Sequence, residues 1–371
     1  MRLNDFKLER FFAKYEFTTP YLLCGSDCES FMVEELFDLD KNAEKEFKKL
    51  RLGYTESPGS TALRVEISQL YTHSTPGNII VFAGAEEGIF VFMNALLESG
   101  DHIIVQSPCY QSLYEVANAI GCSVYEWVMD AENNWELDID SLKKNITEHT
   151  KAIIINFPNN PTGYTISKET LKKIIDIAKQ HDIFIFSDEV YRFLEYRAED
   201  RLPAVCDIYD KGVSLGVMSK SFGLPGLRIG WIVTKDNTLL RKMASFKDFT
   251  TICSSAPGEF LAALALKHKE FILNRNLGIV KTNLRHLEVF FKNHSNRFEW
   301  IKPRAGPLIF PRLTFTQDAE TFCLDLMNKK GVLLLPGNQF NYRSNHVRIG
   351  FGRKNMPEAL AKLEEYVTSS D

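Results

Sequence analysis

The sequence predicts an α/β protein: a large domain on a mainly parallel seven-stranded sheet covered by helices, plus a smaller α+β domain. Three observations carry this. From about Tyr54 to Leu266, short β-branched runs alternate with amphipathic helical ones, the pattern of parallel strands joined by crossover helices. Beyond Phe260 the chain reads as helix for some thirty residues and then as a mixture of short strands and helices. Finally, the 371 residues exceed the ~250–300 that one core usually supports.

The strands expected in the large domain are Ile79–Phe82, His102–Gln106, Ser123–Val128, Ala152–Phe157, Ile183–Asp188, Val213–Ser219 and Ile229–Thr234. Between them, Glu86–Leu97, Lys168–Gln180 and Leu239–Phe249 carry helical periodicity. One long or kinked helix through Leu264, Ile272, Ile279 and Leu287 then leaves the sheet. The smaller part supplies strands Phe298–Ile301, Leu308–Pro311, Val332–Leu335 and Val347–Ile349, and helices near Asp318–Lys329 and Met356–Val367. The first ~50 residues, helical at Asn4–Tyr15 and Val33–Leu50, are expected to pack with it. The division is therefore 1–50 with 268–371 as the small domain and 51–267 as the large one. No repeat or Gly/Ser linker separates them, so the two pack directly.

With 44% hydrophobic residues, 25% charged and a net charge of −4, nothing indicates a nucleic-acid or membrane partner. No stretch approaches the ~20 apolar residues of a membrane span, and Met1–Lys14 lacks the pattern of a secretion signal. The seven cysteines have no Cys-x-x-Cys spacing, which suits free thiols in a reducing cytoplasm and no metal site.

The strongest chemical signal is the run from Val217 through Ser219-Lys220-Ser221 to Arg228-Ile229-Gly230. Lys220 follows an apolar β-run and precedes an arginine by eight residues, so it stands where a strand ends and a ligand can be met. Desolvation and a nearby cation lower an amine's pKa and make it a better nucleophile toward an aldehyde. A lone Ser-Lys-Ser also reads as a surface lysine in a Gly-rich loop; the longer string is what carries weight. It resembles the pyridoxal-5′-phosphate attachment signature of the aminotransferase class I/II family, fold type I. The resemblance implies that Lys220 holds the cofactor as a Schiff base and later moves the substrate's Cα proton, with Arg228 and Ser219 on the phosphate. Val217 departs from the family, which usually has Ser, Thr or Gly there as a phosphate ligand.

Other segments fit the same family in order. Asn156-Phe157-Pro158-Asn159-Asn160-Pro161-Thr162-Gly163 is ordinary turn chemistry by composition, and resembles the turn in which Asn160 bonds the cofactor's phenolic oxygen. Asp188 ends an apolar strand, where an unpaired carboxylate is costly, so it needs a cation or donor, or else caps the next turn. The resemblance pairs it with the protonated pyridine nitrogen and puts Tyr191 on the phenolate. Gly84-Ala85-Glu86 joins a strand to a helix whose free N–H groups form an anion site, and by resemblance those of Ala85 and Glu86 take the phosphate. Tyr110, otherwise an unremarkable core or surface tyrosine, matches the aromatic that stacks on the ring. Tyr54, in a Tyr-x4-Gly-x3-Leu-Arg segment, matches the residue that reaches the other subunit's phosphate, which implies a homodimer with shared active sites.

Arg348 in His346-Val347-Arg348-Ile349-Gly350 reads either as an edge-strand charge or, by resemblance, as the fork that binds the substrate carboxylate. Gly25 stands where the family's amino-terminal arm meets the substrate. The implied reaction moves an amino group between an L-amino acid and a 2-oxo acid. Alternatives are a lyase, an oxidase or a cyclase like capreomycidine synthase, favoured by Val217 and the unusual Leu22–Ser30 stretch, and a non-enzymatic sensor domain. No second arginine for a dicarboxylic substrate stands out among Arg192, Arg197, Arg304 and Arg343.

Overall fold

The computed structural model describes residues 2–316, 318–342 and 345–369. Its centre is a seven-stranded sheet of β1 (Ile79–Phe82), β2 (His102–Ser107), β3 (Ser123–Val128), β4 (Thr150–Asn156), β5 (Phe184–Asp188), β6 (Gly212–Val217) and β7 (Gly230–Thr234). The spatial order is β1-β7-β6-β5-β4-β2-β3, and β3, β2, β4, β5 and β6 run parallel to one another. Strand β7 lies antiparallel between β6 and β1. The expected mainly parallel sheet is therefore present, with all seven expected strands in it.

Both faces of the sheet are buried along six of its strands, which explains their apolar runs, while the edge strand β3 is largely exposed or half-buried. Along β2 and β4, Ile103, Val105 and Ile154 pack into one apolar cluster with Phe92 and Phe186, whereas Ile104, Ile153 and Ile155 pack into another with Trp127 and Leu171. The period of two in strand geometry sends successive residues to opposite faces. Helix α1 (Lys7–Tyr15) opens the chain, α2 (Ala85–Leu96) follows β1, and α3 (Lys168–Gln180) follows β4 with Ser167 capping its first turn. The expected long helix is kinked at His268 into Ala256–Lys267 and Lys269–Asn293.

The continuous helix expected over Val33–Leu50 is instead two short ones, Val33–Phe37 and Ala43–Phe47. The Asp40 carboxylate accepts from the Asn42 N–H at 2.9 Å, and this local turn competes with the helix ladder. These two helices lie against Ala256–Lys267, with Phe47 5.5 Å from Phe260 between ring centres.

The rest of the amino-terminal arm joins the carboxyl-terminal part. Tyr21–Leu22 pairs in parallel with Val332–Leu333, and the Gly350 N–H donates to the Leu23 carbonyl at 2.9 Å. Strand β8 (Leu308–Ile309), β9 (Leu335–Pro336) and β10 (Val347–Gly350) form a small antiparallel sheet with β10 in the middle. A Cβ on Gly350 would strike the Gly25 carbonyl, so only glycine lets the arm lie on β10. Gly350→Ala is expected to lift the arm and cost about 2 kcal/mol of stability, seen as a lower thermal midpoint and faster proteolysis before residue 30.

Candidate active site

The carboxyl ends of β4, β5 and β6 face one cavity of about 710 Å³. Open α/β sheets place ligands at such strand ends. Asp188 closes β5 in register with Asn156 at the end of β4. Its side chain is buried and, among the described residues, accepts one hydrogen bond, from the Val190 N–H at 3.2 Å. Burial pushes the carboxyl up to about 7, although the Val190 N–H and the Lys220 charge pull it down.

Asn156 ties the neighbouring turn to this strand end. Its amide donates to the Asp188 carbonyl at 3.0 Å and its oxygen accepts from the Asn160 N–H at 2.9 Å. The Asn159 oxygen accepts from the Thr162 hydroxyl and N–H. The turn is thus cross-braced from within, which fixes the direction of Asn160.

Lys220 lies in the loop after β6, with part of its side chain open to the cavity and its amine donating to the Ser26 hydroxyl at 2.7 Å. Burial pulls the ammonium's pKa down and Arg348 adds to this, while Asp27, Glu9 and Asp188 oppose it. The buried Tyr191 hydroxyl has no hydrogen bond of good geometry, though Ser26 lies near, and burial pushes its pKa up.

At the opposite end, α2 begins at Ala85 after Gly84, whose φ is 84°. A Cβ there would meet the Arg228 guanidinium, which Gly84 therefore admits to the helix N-terminus. Arg228 holds a left-handed φ of 52° after the turn Pro225–Leu227 and has no ion pair among the described residues. Ser219 and Val217 line the same wall. Ala85 and Glu86 also line it; the Glu86 carboxylate accepts from the Ser112 hydroxyl at 3.0 Å, and burial pushes it up to about 7. The Tyr110 hydroxyl donates to Glu9 of α1 at 2.6 Å.

Arg348 is 1% exposed, in the middle of β10, so it is no edge-strand charge. Its Nε and Nη2 donate to the Cys24 carbonyl and its Nη1 to Asn160 Oδ1 at 3.0 Å. Carbonyl oxygens and the rings of Phe12 and Phe340 hold it; no carboxylate pairs with it among the described residues.

The cavity thus gathers Gly25, Ala85, Glu86, Tyr110, Asn160, Asp188, Tyr191, Ser219, Lys220, Arg228 and Arg348. Tyr54 is apart from it, 92% exposed on the surface. Arg192 is held by the Leu70 carbonyl, Arg197 pairs with Asp200, Arg304 is on the surface, and Arg343 lies outside the described residues. A third arginine on the cavity wall is Arg353, which sequence reasoning missed. It forms a two-point ion pair with Asp27 at 3.0 and 3.1 Å. Ser26, Glu9 and Glu16 were also missed as cavity residues; Ser26 and Asp27 do fall in the unusual Leu22–Ser30 stretch.

The family model for aminotransferase class I and II matches residues 33–363. A PLP-dependent aminotransferase from Streptococcus suis of known structure is 33% identical, with a TM-score of 0.94 and coverage of 100% of this chain and 99% of that one. Capreomycidine synthase of Streptomyces vinaceus is 28% identical over 98% of this chain and 92% of its own. Aspartate aminotransferase of Pyrococcus horikoshii is 29% identical over 89% of this chain and 88% of its own. With the matched region spanning most of the molecule and containing the carboxyl ends of β4, β5 and β6, the chain belongs to the aminotransferase class I and II family.

Proposed function

We propose that this protein moves an amino group between an L-amino acid and a 2-oxo acid, with pyridoxal 5′-phosphate held in the cavity at the ends of β4, β5 and β6. One observation carries the reading: a desolvated lysine, a buried carboxyl with no cation partner and a buried arginine with no carboxylate face the same space. Each lacks what this cofactor and an amino acid would bring.

The residues fit the cofactor. The α2 N-terminus with Arg228 and Ser219 would hold the phosphate, in the space that Gly84 keeps open. Asp188 would hold the pyridinium proton, Tyr191 and Asn160 the phenolic oxygen, and Tyr110 one ring face. Val217 supplies no side-chain donor, so Ser219, Arg228 and the backbone carry the phosphate. When bound, the cofactor supplies an electrophilic carbon and a sink for the electron pair left on Cα.

The chain's own residues then do the following. Arg348 uses three of its five N–H groups on Cys24 and Asn160 and turns the others to the substrate carboxylate. This fork orients Cα toward the Lys220 amine. Lys220, its pKa lowered by burial, takes the Cα proton and holds it for return to the reacting centre. Ser26 accepts from the amine and keeps it aimed into the cavity.

The likeness to capreomycidine synthase supports a second reading, a cyclisation on the same cofactor, which needs no oxo acid acceptor. A homodimer is part of the proposal, supported by a surface carrying Tyr54, Leu52 and Phe249, each over 80% exposed. So is a cytoplasmic location, supported by seven free cysteines; no helix among the described residues is long and apolar enough to cross a membrane.

Lys220→Ala is expected to abolish the visible absorbance of lysine-bound cofactor and to slow amino-group exchange by about 10³-fold or more; full activity in this variant would refute the assignment. Arg348→Lys keeps the charge and loses the fork, so KM for the amino acid should rise at least about tenfold, measured by steady-state kinetics. The cofactor-free protein should also lose stability as pH rises. The ordinary Asp188 pKa is 3.8 and the folded value is about 7, so between these only the folded chain holds the proton. Its thermal midpoint should fall across that window, and Asp188→Asn should flatten the fall.

A further inference from the structure

Beyond the α-carboxylate anchor, the cavity has an outer half built from α1 and the residues just after it. Glu9, Phe12 and Glu16 are spaced i, i+3 and i+7, so they share one face, and all three line the cavity with the exposed ring of Phe17. The lining cations are already engaged or assigned. Arg353 is held at two points by Asp27, Arg348 faces the substrate carboxylate, Arg228 faces the phosphate end, and Lys220 is the reacting amine.

In this outer half, Glu9 and Glu16 are the carboxylates with no ion pair among the described residues. Glu9 accepts one hydrogen bond, from Tyr110, a neutral donor. Glu16 has no hydrogen-bond or ion-pair partner among the described residues, and it is half-buried. Burial pushes its carboxyl up, Arg353 is the strongest single charge acting on it and pulls it down, and Asp27 and Glu9 add repulsion that Lys220 also opposes. Two carboxylates beside aromatic rings match a particular side chain: an apolar stem lying along Phe12 and Phe17, ending in a cation.

Building on the amino-group-transfer reading, we infer that the outer half of this cavity selects an L-amino acid whose side chain ends in an ammonium or guanidinium group, held by Glu9 and Glu16. A side-chain carboxylate is disfavoured twice over: it would meet these two like charges, and the one further arginine on the wall already has its charge balanced by Asp27. A neutral apolar side chain gains the rings and leaves both carboxylates unpaired.

The test is a titration of the cofactor-loaded protein, without oxo acid, by L-ornithine, L-lysine, L-arginine, L-norleucine and L-glutamate, reading the change in visible absorbance. At least one cationic amino acid should half-saturate the change at a concentration about tenfold or more below norleucine, with glutamate weakest. Which of ornithine, lysine and arginine is best identifies ammonium or guanidinium as the head group. Glu16→Gln and Glu9→Gln should each narrow the ratio between cationic and neutral amino acids by about threefold or more. A ratio is used because a loss of folded protein lowers both readings alike. Equal response to norleucine or glutamate would overturn the cationic assignment and leave amino-group transfer standing. No response to any amino acid would overturn both.

Discussion

A carboxyl group buried without a countercharge is the constraint around which this structure is arranged. Asp188 ends the central strand β5 with one backbone donor, which is too little for an ionised carboxylate away from water. The fold leaves it partly protonated near neutral pH and aimed at an open space. In the proposed reading a cationic ring nitrogen would complete that environment, so a feature that is costly in the empty protein would serve the bound state. The same logic holds at the other side of the cavity, where Arg348 is buried among carbonyls and awaits an anion.

Two packing contacts allow these groups to converge. Gly84 lets Arg228 approach the start of α2, and Gly350 lets the amino-terminal arm cross β10 at Gly25. The second contact brings Cys24 to Arg348, Ser26 to Lys220 and Asp27 to Arg353. The arm therefore contacts Arg348, Lys220 and Arg353 from within four residues, Cys24 to Asp27, and α1 adds Glu9 and Glu16 to the cavity wall.

What was legible in the sequence follows from how local each signal is. Six of the seven strands are buried along most of their length and read as apolar runs, the edge strand Ser123–Val128 was recognisable by its β-branched and aromatic residues, and the chemical residues Asn160, Asp188 and Lys220 sit within a few residues of strand ends. Resemblance over short strings then supplied their roles. The arm's contributions were not legible for the opposite reason. Ser26 meets Lys220 across 194 positions and Asp27 meets Arg353 across 326, and no local period records such pairings. Glu9 and Glu16 looked like solvated charges on an amphipathic helix because the cavity that α1 covers is made by distant segments. The break in Val33–Leu50 was missed because Asp40 competes for the backbone through a single side-chain contact inside a helical pattern.

The central claim is transfer of an amino group that stops when no acceptor is present. The most direct measurement is the amount of 2-oxo acid released per active site when the cofactor-loaded protein is mixed with an excess of its amino acid and no oxo acid. The account predicts about one equivalent, followed by arrest until an oxo acid is added. Continued release, or a product that keeps its amino nitrogen, would contradict transamination and point to the cyclase or lyase chemistry of the same cofactor.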